Sequence, residues 1–314
     1  MIKQRRIVFL INPISGTRTK DGLEEFLTRT CHEKGIEYMI VYSVRNMTAD
    51  VLQMQLYDFK ATDLVACGGD GTVNLGAAAV MGSGINLGVI AVGSGNGLAR
   101  TACIPMKPSQ AFEIILNGHL QPTDSFTVND RFSCMLSGIG MDAAVAERFA
   151  QSNQRGLFTY TTQTLIQYFK SNPYQFEIEV EGIRFFTDAF FISIANSNQF
   201  GNNVTIAPLA SLNDGLLDII IVQKMPKMML PCALMRQLRN HNKKQKWMEE
   251  IGKKTILYFQ TPEIIIHNPK HAPLHIDGDP ASTAERLHIK VVPDAFNLWV
   301  TGKDEVKLSQ LVNR

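Results

Sequence analysis

A chain of 314 residues, 45% hydrophobic and 19% charged, can bury one large core or two ordinary ones and is not a disordered polymer. Its formal net charge of +2 gives no argument for nucleic acid, and no nucleic-acid partner is expected. Five scattered cysteines (Cys31, Cys67, Cys103, Cys134, Cys232), never spaced C-x-x-C, argue against a zinc site or a disulfide framework and suit a reducing compartment.

The opening MIKQRRIVFLINP has a basic head, but its apolar run meets Asn12 and Pro13 with no small-residue cleavage site. Ile7–Ile11 therefore reads as a buried strand rather than a signal peptide. Leu23, Phe26, Leu27 and Cys31 then recur at helical spacing, and Gly35 stands where that helix should stop. IEYMIVYSV predicts a second strand, Thr48–Phe59 a second helix, DLVAC a third strand and NLGVIAV a fourth. A glycine cluster and another helical stretch follow. Such alternation predicts a parallel α/β sheet with right-handed crossovers.

Past about residue 122 the strands follow one another directly. RFSCMLSGIG, FEIEVEG, RFFTDAFFISIANS, LLDIIIV, TILYFQ, EIIIHN, PLHIDGD, RLHIKVVP and NLWVTG are separated by turns such as Gly182 and Asp277-Gly278. That grammar predicts an antiparallel sandwich or barrel, interrupted by helical stretches at Asp142–Ser152, Gly156–Ser171 and 227–251. The resulting division is 1–125 for an α/β domain and 126–295 for a β-sandwich. A terminal strand or helix, 296–314, is expected to pack back on the first domain. No stretch approaches the ~18 apolar residues of a transmembrane helix. A cytoplasmic protein is expected.

Three polar, glycine-bearing turns fall at carboxyl ends of the predicted parallel strands, where open α/β sheets bind ligands. They are Asn12-Pro13-Ile14-Ser15-Gly16, Gly68-Gly69-Asp70-Gly71-Thr72-Val73-Asn74 and Gly93-Ser94-Gly95-Asn96-Gly97. Glycine lets the main chain approach a ligand, and amides at the start of the next helix attract an anion. There is no G-x-x-x-x-G-K-[ST], so this is not a P-loop. Gly93–Gly97 misses the dinucleotide pattern because Leu98 occupies the third glycine's place.

In order and spacing, N-P-x-x-G, G-G-D-G-T-V-N and G-S-x-N-x-L-A resemble the diacylglycerol kinase catalytic domain family, which includes sphingosine kinases and bacterial lipid kinases. Gly138-Ile139-Gly140-Met141-Asp142-Ala143, Gly201-Asn202-Asn203, Ala207-Pro208, Asp214-Gly215-Leu216-Leu217-Asp218 and Asp277-Gly278-Asp279 continue the resemblance to about residue 293. It implies an α/β nucleotide domain like those of NAD kinases and phosphofructokinases, a second domain, and magnesium-dependent transfer from ATP to a lipid hydroxyl in the cleft between them. The family commonly has Glu where Leu75 stands, and D-G-E where this chain has Asp277-Gly278-Asp279.

By this resemblance Gly68–Asn74 contact the ATP phosphates, their main chain from Gly68 to Thr72 and the side chains of Thr72 and Asn74. Ser94 and Asn96 donate from the third turn, and Asn12, Gly16 and Ser43 line the same rim. Asp70, a carboxylate among phosphate-binding amides, either holds Mg²⁺ or orients the attacking hydroxyl. Asp70→Asn is then expected to abolish transfer and leave the fold intact. Asp279 is the candidate general base. Ser211, Asp214, Leu216 and Asp218 map onto a second, structural Mg²⁺ site of bacterial relatives. His267, His271 and His275 lie in strand-and-proline context and receive no role. Arg236, Arg239, Lys243 and Lys246 form a cationic stripe for transient contact with anionic lipid, giving a peripheral membrane protein. A lipid substrate and a homodimer complete the expected partners. The alternatives are an NAD kinase-like transferase and a catalytically impaired nucleotide- or lipid-binding regulator.

Overall fold

The computed structural model describes residues 5–13, 22–44, 46–151, 172–198, 207–229 and 254–302. The expectations for Gly16, the Gly201–Asn203 motif, the helix at Gly156–Ser171 and the cationic stripe lie outside these residues. So does the expected helix at 227–251, apart from a 3₁₀ turn at Lys227–Met229. The chain divides into two compact units, residues 1–123 with 294–314, and residues 124–293.

In the first unit, β1 (Arg6–Ile11), β2 (Glu37–Tyr42), β3 (Asp63–Gly68) and β4 (Asn86–Ala91) form a parallel sheet in the order β2-β1-β3-β4. β3 is buried at every position, as a strand covered on both faces must be. The helices α1 (Leu23–Lys34), α2 (Ala49–Asp58), α3 (Asp70–Val80), α4 (Gly97–Thr101) and α5 (Pro108–Asn117) connect the strands or follow them. Gly35 ends α1 in a left-handed conformation, its amide donating to the Cys31 and His32 carbonyls, and Thr48 caps α2 through its side chain. Because β1 has β2 on one side and β3 on the other, successive crossovers leave in opposite directions. A switch point therefore opens between the carboxyl ends of β1 and β3.

The remaining strands are β5 (His119–Val128), β6 (Arg131–Ser133), β7 (Leu136–Gly140), β8 (Tyr174–Val180), β9 (Ile183–Ala195), β10 (Leu217–Gln223), β11 (Ile256–Thr261), β12 (Glu263–His267), β13 (Leu274–Ile276), β14 (Asp279–Ala281) and β15 (Arg286–Val300), with one helix, α6 (Met141–Gln151). In the second unit the strand order is β14-β13-β7-β9-β8-β12-β15, and β10 lies along the other edge of β9 and carries β11. All these pairings are antiparallel. Inward residues on β9 are Phe185 and Ala189, then Ile192 and Ile194, so the buried parity changes along the strand. The cause is a register shift where Val222 pairs Phe191 but Gln223 pairs Ala189, one extra residue that turns the other face inward.

Two sequence expectations change. RFSCMLSGIG is not one strand but β6 and β7, with Cys134 and Met135 between them. RLHIKVVP and NLWVTG are one strand, β15, which starts in the second unit and ends in the first, passing Pro293 and a left-handed Asp294. Leu298 pairs with Leu87, and Gly82 donates to the Ala295 carbonyl. No helix among the described residues is long and apolar enough to cross a membrane.

Candidate functional site

At the switch point of the first unit, β1, β2, β3 and β4 deliver their ends to one rim. The Asn12 amide donates to the Cys67 carbonyl, Ser43 N to Ile11 O, and Val92 N to Gly68 O. The Asn12 side chain donates to Thr72 Oγ1 at 3.2 Å, joining the first and second turns. Asp70 joins the second to the third. One carboxylate oxygen accepts the Asn96 amide at 2.9 Å and the other the Gly97 amide at 2.7 Å. Asp70 is thus the first residue of α3, whose N-cap is Gly69, and its carboxylate meets the first amides of α4.

The glycines serve this loop-to-loop contact. A Cβ on Gly93 would sit 2.3 Å from Gly69 Cα, and one on Gly68 would overlap the Thr72 side chain. Asn96 lies in the left-handed region at φ 59° and is buried. Its side chain closes its own turn, accepting from Gly93 N at 3.1 Å and donating to Gly93 O at 2.8 Å. Arg100, for which the sequence suggested nothing, reaches back to Gly95 O at 2.9 Å. Thr72 and Val73 are buried and both amides donate to Gly69 O, whereas Gly71 and Ser94 are exposed and Asn74 half-buried.

In the second unit, Asp279 opens β14 after a turn whose residues Asp277 and Gly278 have φ of 48° and 88°, the twist that tight hairpins require. Asp277 is held by donors from the 133–136 connection. Ser133 Oγ, Met135 N and Leu136 N donate to one oxygen at 2.7, 3.0 and 2.8 Å, and Cys134 N donates to the other at 3.1 Å. That explains the break between β6 and β7: the connection wraps the Asp277 carboxylate. Asp279 itself is exposed. Surrounding protein mass, then repulsion from Asp277, push its carboxyl above the ordinary carboxylate value, and His275 opposes the rise.

Of the expected second magnesium set, Ser211, Asp214 and Leu216 share one turn. Asp214 accepts the Leu216 amide at 3.1 Å, and Ser211 Oγ donates to Asn213 Oδ1 at 3.1 Å. Asp124, buried and assigned no part by sequence reasoning, accepts the Gly215 amide at 2.8 Å and supports this turn. Asp218 does not belong with them. It is fully buried on β10, accepting from Tyr258 OH at 2.5 Å and Gln260 Nε2 at 3.0 Å. Tyr258 in turn accepts the Leu209 amide at 3.0 Å. Burial, then the Asp218 charge, raise the Tyr258 phenol far above its usual range, so it stays a donor. No cluster of three or more His, Cys, Asp or Glu side chains suited to a metal occurs among the described residues. A cleft of about 890 Å³ in the second unit, lined in part by Phe176, Phe186, Gln223 and His267, contains none of the expected residues.

The comparisons with known proteins follow both units. The diacylglycerol kinase catalytic domain matches residues 6–128, and the YegS C-terminal NAD kinase beta sandwich-like domain matches residues 136–300. The chain belongs to this lipid kinase family. A "Probable lipid kinase YegS-like" protein of Pectobacterium atrosepticum is 28% identical over 245 residues, covering 76% of this chain and 78% of that protein. "Probable lipid kinase YegS" of Salmonella typhimurium is 28% identical over 241 residues, covering 74% and 76%. A diacylglycerol kinase structure from Bacillus anthracis str. Sterne shares the fold at TM-score 0.69 and 17% identity, covering 96% of this chain and 98% of that one. Another structure from the same organism gives TM-score 0.73 at 17% identity, covering 96% and 99%. The α/β first unit and the NAD kinase-like sandwich of the second are the family's architecture.

Proposed function

We propose that this chain is an ATP-dependent lipid kinase that phosphorylates the hydroxyl of a diacylglycerol or long-chain base. The observation that carries the reading is the Asp70 clamp. One carboxylate fixes the amides that open α4 while the glycines of β3–α3 and β4–α4 press together at a switch point. Rigid main-chain donors at such a rim suit a triphosphate, because phosphoryl transfer depends mainly on positioning and on neutralising phosphate oxygens. The amides of Thr72 and Val73 are spent inside the first turn of α3, so Gly69 and Gly71 are the positions where phosphate approaches the main chain. Ser94 is the exposed hydroxyl of the third turn, whereas Asn96 shapes the loop.

A carboxylate offers about four acceptor positions, so clamping two amides is compatible with Asp70 also touching a metal. Bound magnesium would offset charge on the phosphate oxygens. At the turn of residues 211–216, Ser211, Asp214 and the Leu216 carbonyl form an oxygen set of the right hardness, and Asp218 is turned away to Tyr258 and Gln260. Asp279 is the base. The lipid hydroxyl oxygen bonds to the γ-phosphorus, the bond to the bridging oxygen breaks, ADP leaves, and the hydroxyl proton passes to the Asp279 carboxylate. A carboxylate accepts that proton late, as the loose transition state develops.

The protein works at a membrane surface, which the basic composition of 224–254 supports: nine Lys and Arg against Glu249 and Glu250. The test offers radiolabelled ATP and magnesium with diacylglycerol, sphingosine and NAD in parallel. Label in a lipid supports the reading. Label only in NAD moves the chain to the NAD kinase reaction, and ATP binding with no transfer makes it a regulator.

A further inference from the structure

Behind the Asp279 hairpin lies a buried pair that the chemistry above does not use. β13 places His275 beside Gly138 of β7 on one edge and Pro280 of β14 on the other, and Gly138 pairs in turn with Ser193 of β9. These residues form one cross-strand row on one face. α6 packs against β7, β13 and β14, and its first turn brings Asp142 over that row. Gly138 leaves the room: a Cβ there would lie 1.9 Å from Asp142 Oδ2 and 2.6 Å from His275 Nε2. Both side chains are almost wholly buried, and Nε2 stands 3.6 Å from Oδ2. Asp142 Oδ1 accepts the Ala143 amide at 2.8 Å, but Oδ2 has no hydrogen-bond partner among the described residues.

On its other side the imidazole meets the hairpin. The Gly278 amide donates to His275 Nδ1 at 3.3 Å, so the ring proton belongs on Nε2, the nitrogen that faces Asp142. The turn is therefore held from two directions. The 133–136 connection grips Asp277, and the imidazole takes the amide between Asp277 and Asp279. A buried carboxylate left one partner short carries a desolvation cost that packing alone does not demand, and it faces the ring that accepts the Gly278 amide.

We propose that His275, with its tautomer and orientation set by Asp142, is the positioning residue that holds Gly278 and thereby aims the Asp279 carboxylate at the acceptor hydroxyl. It touches neither substrate nor the reacting atoms. The inference rests on the lipid kinase reading for its kinetic consequence and on geometry alone for its tautomer.

Two substitutions separate the ring's two contacts. Asparagine presents an acceptor near the Nδ1 position, and glutamine presents a donor near the Nε2 position. His275→Asn is expected to keep kcat within a few-fold. His275→Gln is expected to lower kcat about a hundredfold, the scale of an ångström's misplacement at a reacting centre, with KM for ATP and lipid unchanged. Melting curves confirm that each variant is folded before its rates are compared. Equal kcat for His275→Gln and the parent overturns the inference, as does a fall in His275→Gln that appears in KM alone. A parent with no lipid kinase activity sinks the kinase reading instead. An activity-independent arm then decides this one: in ¹⁵N spectra of the full chain, with His275 assigned by its loss in His275→Asn, the ring must carry its proton on Nε2. A proton on Nδ1 overturns the inference whatever the kinetics.

Discussion

Asp70 and Asp279 are both acidic residues beside glycines, and their surroundings give them opposite requirements. Asp70 accepts two main-chain amides, so Asp70→Asn turns an NH₂ toward an N–H at Asn96 or Gly97. An unmatched buried donor costs about 1–3 kcal/mol. The sequence alone suggests a fold-neutral substitution; the structure predicts a lower melting temperature together with lost transfer, and an unchanged melt would remove the clamp from the account. Asp279 runs the other way. Its carboxyl is raised in the folded chain, so ionisation is harder there than in the unfolded chain. The contribution of that group to stability is fully present below the unfolded carboxylate pKa and is lost as pH rises through the higher folded value. At neutral pH the ionised group is therefore slightly unfavourable, and its exposure keeps the effect small. Asp279→Asn should melt at or above the parent temperature at pH 7 while transferring no phosphate. The parent's kcat/KM should also fall at low pH through a limb above the ordinary carboxylate range. A variant melting several degrees lower would show that Asp279 is a structural acceptor instead. Charge logic singles out Asp70 in the sequence, and Asp279 stands out only through its place where the family has D-G-E. Their different jobs do not show there, because the partners of Asp70 lie 26 and 27 residues away.

Among the elements, the parallel strands announce themselves because burial on both faces leaves continuous apolar runs, as in Ile7–Ile11. Gly35 marks the end of α1 because only a residue tolerant of positive φ closes a helix that way. The second unit is less legible. On β9 the inward parity changes at an unmarked bulge, and between β6 and β7 the break is set by Asp277, more than 140 residues further along. His275 belongs to the same class: set among histidines four apart it looks incidental, and only the pairing of its strand with β7 sets its ring against Asp142. The glycine turns are legible as turns but ambiguous in purpose, and here a pair of substitutions decides. Gly93→Ala puts a methyl group 2.3 Å from Gly69 Cα and 2.9 Å from Asn96 Oδ1, so the two turns must part. Gly82→Ala meets nothing within 4 Å and strains only its own φ of 66°, a cost of about 1–2 kcal/mol. Calorimetric titration with ATP should show binding lost in Gly93→Ala and kept in Gly82→Ala. Equal affinities would mean that contact between the turns does not shape the nucleotide rim.

Across the whole molecule, a long-range tie within the first unit is made by Asp63, at the start of β3 and at the opposite end of that strand from the glycine rim. It is 1% exposed and draws five donors, from Thr62 beside it in the chain to Trp299 near its end. Arg5 donates through Nε at 2.9 Å and Nη2 at 3.3 Å, Thr62 Oγ1 at 2.7 Å, Asn86 Nδ2 at 3.2 Å and Trp299 Nε1 at 2.6 Å. Arg5 also lies over the Trp299 ring at 4.6 Å, so cation and carboxylate enclose the indole edge. Trp299 stands 236 residues from Asp63 and belongs to the last stretch of β15, which returns to the first unit after the chain has formed the second. The return of 296–314 to the first domain is expected from the sequence, but its partner is not; a buried acid at the start of a strand and an indole near the end of the chain become partners only once both are folded. Trp299→Phe keeps a ring beneath the guanidinium and deletes the donor. A hydrogen bond to a charged group is worth about 1.5–3 kcal/mol, and the four donors that remain on Asp63 place the loss at the lower end. The variant should melt several degrees below the parent in a denaturation scan, with kcat per folded molecule unaltered, because the deleted contact lies at the other end of β3 from the glycine rim. A variant that melts with the parent would show that the return strand is held by Phe296, Leu298 and Val300 alone, and a variant that loses kcat at full stability would mean that the pin and the rim are coupled through β3.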